Sequence, residues 1–141
     1  MGLLRRNKPK TFQTQVAAFT HRVGKPLVVQ SESPRGRYVL VFEDDGDTGS
    51  LYGLDQERLE MPIVDALHIY DVQAVADQAA DYPMEIRWAA DRERGGLFIE
   101  GLCHAVFDFN DKRASCRDDF PPADGGFTDS HAWDESLAVG L

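Results

Sequence analysis

The sequence predicts an α+β fold: a single domain, mainly antiparallel β-sheet built from hairpins, with one or two short packed helices. Three observations carry this. Runs of β-branched and aromatic residues are punctuated by Asp- and Gly-rich turns. One stretch, near residues 60–71, has apolar residues near helical spacing. The length of 141 residues, with 43% hydrophobic and 28% charged, suits one globular core without disulfide staples. The expected organisation is a basic N-terminal arm over 1–26, partly ordered at most, and one domain over 27–141.

Along the chain, Thr11 to Val23 is undecided: Phe12, Val16 and Phe19 fall near helical spacing, while three threonines favour an extended chain. Leu27 to Gln30 reads as a short strand. Tyr38 to Phe42 is an unbroken β-prone run expected at the centre of a sheet and covered on both faces. Asp and Gly residues then make a turn, so 37–54 is predicted to be a β-hairpin. Pro62 suits a helix start, and Ile63, Val64, Ala66, Leu67 and Tyr70 predict a helix over about 60–71. Met84, Ile86 and Trp88 alternate with polar residues as in a half-buried strand.

From Leu97 to Phe109 the odd positions are apolar or small, which predicts one strand with Cys103 facing the core and Glu100, His104 and Asp108 on the other face. Asn110 and Asp111 turn the chain into a short polar return strand over 112–117, with Cys116 a diagonal neighbour of Cys103. Reduced thiols are expected, because diagonal pairs rarely meet disulfide geometry. Asp129 or Ser130 is expected to cap a final short helix through Trp133 and Leu137, with Glu135 near the capping-box position.

The net charge of −9 conceals a division: residues 1–26 hold six of the fifteen basic residues and none of the 24 acidic ones. An acidic body repels nucleic acid and anionic membrane, so neither is an expected partner. Two cysteines and no long apolar run point to a cytoplasmic protein without a membrane span or secretory signal. Gly2 invites a myristoylation reading, but Arg6 stands where that motif needs Ser or Thr.

Four carboxylates crowd the hairpin tip: Glu43, Asp44, Asp45 and Asp47. They fail the calcium-loop pattern, with Ser50 and Gln56 at positions that need Gly and Glu. Turn formation explains them, and binding of a metal or of a basic partner is the functional alternative. Asp65, His68 and Asp71 recur every three residues, and on a helix neighbouring pairs would approach one another. Asp65, His68 and His104 are therefore the candidate metal set of an alternative reading, a divalent-metal-dependent hydrolase or small-ligand enzyme. Near the C-terminus Asp129, Ser130, His131 and Asp134 surround Trp133, a pattern better suited to a helix cap than to a nucleophile triad. No glycine-rich nucleotide fingerprint or phosphate loop occurs, and no cofactor is expected.

The stretches VFEDDGDTGSLYGLD, PIVDALHIYDV, HAVFDF and DSHAWD, in this order, resemble the bacterial domain-of-unknown-function family numbered twenty-two fifty-one. The resemblance runs from about Tyr38 to Leu137 and leaves the basic arm outside. It implies a bacterial cytosolic origin and a single α+β domain, and it carries over no catalytic residue or cofactor. With complete catalytic sets missing and a pronounced acidic charge, the expected role is a non-enzymatic binding or accessory domain for a basic protein or peptide. A neutralising immunity partner of a bacterial toxin is one concrete form. A monomer or a small homo-oligomer is compatible with the strand pattern.

Overall fold

The computed structural model describes residues 16–91, 93–117 and 132–141. Among them the chain forms β1 (Val16–His21), β2 (Leu27–Glu32), β3 (Tyr38–Asp44), β4 (Thr48–Asp55), β5 (Ile63–Asp71), β6 (Tyr82–Trp88), β7 (Arg94–Ile99), β8 (Leu102–Asp108) and β9 (Arg113–Cys116). Two 3₁₀ turns, Val72–Ala74 and Glu135–Ala138, are the helical content of the described residues. The strands make two antiparallel sheets, one ordered β1-β6-β7-β8-β9 and the other β2-β3-β4-β5. After β1 the chain builds the whole four-stranded sheet as consecutive hairpins, then returns to complete the five-stranded one.

The sheets share a core, as in a β-sandwich. Leu40 and Phe42 of β3, Leu51 of β4, and Leu67 and Ile69 of β5 belong to one buried cluster with Met84, Ile86, Trp88, Leu97, Ile99, Ala105 and Phe107 of the other sheet. Burying each large side chain contributes about 1.5–3 kcal/mol. The Trp88 indole N–H, which must find a partner once buried, donates to Ser31 Oγ at 3.0 Å. A smaller cluster forms where Leu137 packs with Phe98, Cys103 and Val106, with Trp133, Ala138 and Leu141 around it. Three arginines tie this C-terminal segment down: Arg94 donates to the Leu137 carbonyl at 3.1 Å, Arg117 lies 4.1 Å from the Trp133 ring centroid, and Arg113 pairs with Asp134.

The hairpin expected over 37–54 forms as β3 and β4, with Asp55 added, and β3 sits inside its sheet between β2 and β4. The expected strand around Met84, Ile86 and Trp88 forms as β6. The helix expected over 60–71 does not form; that stretch is β5. Its pairing with β4 skips Val64 and Ile69, so each is an extra, bulged residue. Two insertions in nine residues convert a period of two into an apolar spacing that imitates a helix.

The single strand expected from Leu97 to Phe109 is instead the hairpin of β7 and β8. Glu100 and Gly101 form its tight turn, both with positive φ. A bulge at His104 then reverses the parity, because Phe98 pairs with Cys103 while Leu97 pairs with Ala105. Cys103 therefore joins the smaller cluster and Cys116 the main core, so the two free thiols belong to different clusters.

At the C-terminus the expected helix is a 3₁₀ turn capped by Asp134, whose carboxylate accepts the Ser136 N–H at 3.0 Å. The caps expected at Asp129 or Ser130, and His131, lie outside the described residues. Part of the segment read as a basic arm is integrated in the fold: β1 is an edge strand paired with β6, and residues 1–15 lie outside the described residues. No described helix is long and apolar enough to cross a membrane.

Candidate functional site

The acidic hairpin does not present four carboxylates to a partner. Asp44, at the end of β3, is 1% exposed, and its carboxylate is committed inside the protein. It accepts the Gly24 N–H at 2.7 Å, the Gly46 N–H at 2.8 Å, the Tyr70 hydroxyl at 2.5 Å and His21 Nε2 at 2.8 Å. Burial pushes this carboxyl upward, but the bonds from Tyr70, His21 and the two backbone N–H groups outweigh it and hold the group below its ordinary value. The Tyr70 hydroxyl is driven upward by burial and by Asp44. Asp45 accepts the N–H groups of Asp47 and Thr48, each at 2.9 Å, and these turn bonds lower its pKa. Glu43 is half-buried and Asp47 exposed, which leaves Asp45 and Asp47 as the exposed carboxylates of the tip.

A concavity lies at the other end of β3. There β5 and β9, the neighbouring edges of the two sheets, carry no ladder between them. A cleft of about 470 Å³ opens there, lined by Val64, Phe107, Phe109 and Ala114 among the apolar groups. Arg37, Arg58, Lys112 and Arg113 supply its cations, and Asp55, Asp65 and Asp108 its carboxylates. Tyr38 lines it too and stacks on Phe109 with ring centroids 4.3 Å apart and planes 10° from parallel. Phe107 approaches β4 closely because Gly53 has no side chain: a Cβ there would stand 2.6 Å from the ring.

Several charges of the lining are already engaged. Arg37 grips Asp55 with two bonds of 3.0 Å each, and this guanidinium holds the Asp55 carboxyl below the usual range. Asp108 accepts the Asp111 N–H at 3.0 Å and so fixes the β8–β9 turn. Arg113 reaches out to Asp134. Arg58 and Lys112, both exposed, form no ion pair with the described residues.

The residues of the metal-dependent reading occupy different places. Asp65 lines the cleft and accepts the N–H of Ala66. His68 lies 3.3 Å from Asp71 on the same strand. His104 is the bulged residue of β8, 3% exposed, rather than a member of a solvated strand face. Among the described residues no group of three or more His, Cys, Asp or Glu side chains is arranged to hold a metal ion. Of the lining, the sequence singles out Asp65 and Asp108, for other roles, and does not bring the rest together. Arg37, Arg58 and Lys112 stand in or beside loops with no motif linking them, and Phe107 and Phe109 carry only a core signal.

The chain belongs to a bacterial family: the family model described as "Uncharacterized protein conserved in bacteria (DUF2251)" matches residues 21–140. The match takes in both the buried Asp44 network and the cleft. An uncharacterized protein of Haemophilus influenzae is 42% identical over 72 residues, which cover 51% of this chain and 45% of the relative. The chain thus matches less than half of that relative's length. No solved structure matches it.

Proposed function

We propose that the chain is a non-catalytic protein-binding module whose docking face is the β4–β5 connection beside the cleft, and whose partner is a basic protein. One observation carries this: Leu59, Met61 and Ile63 are 89%, 60% and 46% exposed, three large apolar side chains within five residues at the margin of a formed concavity. Grouped apolar exposure of this kind marks interaction surfaces, whereas single exposed apolar residues do not. Glu57 and Glu60, also exposed, interleave with the apolar residues and suit a basic counterpart. The net charge of −9 would steer such a partner toward the module over a longer range.

The test is affinity capture from bacterial lysate at low and high salt, with wild type beside a Leu59→Ser/Met61→Ser variant. The expected result is a stoichiometric basic protein held by wild type at low salt, released at high salt, and absent with the double variant at unchanged melting temperature. Equal capture by the double variant would remove the proposed face, and capture only of further copies of this chain would replace the partner with self-association.

A further inference from the structure

We propose that the cleft between β5 and the β8–β9 hairpin is a binding site for a small organic monocarboxylate, an apolar body ending in one carboxylate. The site shares Arg58 with the β4–β5 connection, but it stands on the cleft's volume, aromatic wall and charges rather than on exposed apolar residues. Its volume of about 470 Å³ falls within the roughly 300–1,000 Å³ of small-molecule sites. Phe107, Phe109, Val64 and Ala114 offer apolar surface to the body of a ligand, and the Tyr38–Phe109 stack holds part of that wall in place.

The charges select the headgroup. Four cations and three carboxylates line the cleft, and with Arg113 drawn off to Asp134 the remaining three cations match the three carboxylates. Asp55 is neutralised by Arg37 through both of its oxygens. Arg58 and Lys112 remain as the cations without an ion pair among the described residues, so a single carboxylate placed between them would make charge-assisted bonds. Asp65 and Asp108 set the upper limit on ligand charge, since a phosphate or a dicarboxylate would meet them as like charges.

Lys112 adds an independent sign. Its φ is 57°, a left-handed conformation at the end of the β8–β9 turn that glycine would adopt without strain. Glu100 holds a similar φ of 54° in the β7–β8 turn, but Lys112 also places a cation on the lining of the cleft.

The probes are 3-phenylpropanoate, its amide, 3-phenylpropylamine and inorganic phosphate, each titrated into the full-length chain with calorimetry and thermal unfolding as readouts. The carboxylate is expected to bind saturably and to raise the melting temperature with concentration. The amide, the amine and phosphate should bind at least about tenfold more weakly. Arg58→Ala and Lys112→Gly should each weaken the carboxylate by about tenfold. Lys112→Gly should at the same time raise the melting temperature of the free protein, by relieving the left-handed backbone, so that lost binding is separated from lost folding. Absence of carboxylate binding at millimolar concentration, equal binding of the amide or amine, or full affinity in Lys112→Gly would each overturn the proposal. None of these outcomes bears on capture of a basic protein by the Leu59 and Met61 face.

Discussion

The two ends of β3 carry the same device in opposite surroundings. At one end Asp44 is sealed under His21, Tyr70 and two backbone N–H groups; at the other Asp55 grips Arg37 beside an open cleft. An unpaired buried carboxylate is costly, so the sealed end requires a full set of donors to offset desolvation. Those donors come from β1, the β1–β2 turn, the hairpin tip and β5, and the site therefore ties both sheets together. Asp55, its own side chain only 11% exposed, is held by the two Arg37 bonds and the Glu57 N–H, and its guanidinium partner is 45% exposed. A fully enclosed set of donors makes Asp44 a structural rivet, while Asp55 pairs with a half-exposed arginine at the rim of the cleft.

The largest expected effect is at the rivet. Asp44→Ala removes the shared acceptor of His21, the Tyr70 hydroxyl and two backbone N–H groups, leaving His21 and Tyr70 their mutual contact at 3.1 Å, and should cost about 3–5 kcal/mol in urea unfolding. Asp44→Asn removes the titrating charge together with one acceptor oxygen. Because the folded carboxyl is held below its ordinary value, its contribution is fully present above the unfolded pKa of about 3.9 and fades as pH falls through the lower folded value. Asp44→Asn should therefore flatten the acid limb of stability between roughly pH 5 and the onset of acid unfolding. The limb will not vanish, since Asp45, Asp55, Asp91 and Asp134 are shifted the same way. An unchanged acid limb would mean that Asp44 does not titrate as the geometry requires.

Smaller effects come from the two glycines that admit aromatic rings. A Cβ at Gly49 would stand 2.4 Å from the Tyr70 ring, and one at Gly53 would stand 2.6 Å from Phe107. Each alanine substitution should cost about 1–3 kcal/mol through overpacking. Gly49→Ala should be the more harmful, because Tyr70 is pinned through its hydroxyl, whereas Phe107 borders the cleft and has room to yield. Equal losses in thermal unfolding would show the open end to be as rigid as the sealed one. Least of all, Arg37→Gln should lower the melting temperature by less than either glycine variant, since it removes a half-exposed ion pair.

Local patterns that survive any tertiary context were legible in the sequence. Tyr38 to Phe42 and the Asp/Gly turn after it declare the β3–β4 hairpin, and alternation at Met84, Ile86 and Trp88 declares β6. Where a bulge inserts one residue, the pattern misleads: Val64 and Ile69 make β5 look helical, and His104 moves Cys103 to the other cluster. The acidic tip was visible as letters, but the inward direction of Asp44 was not, because its donors lie 20 to 26 residues away, apart from the local Gly46 N–H.

Composition, charge and turn chemistry by themselves determined that this is an acidic, hairpin-built, mainly antiparallel protein, and the ordered motifs placed it in its bacterial family. The tertiary structure alone decided which carboxylates are buried, which cations share a cleft and which apolar residues stay uncovered. Turns and strand alternation arise from neighbours in the chain, whereas burial and pairing depend on how two sheets meet; residues 37, 58, 65 and 112 become one site only when those sheets close on each other.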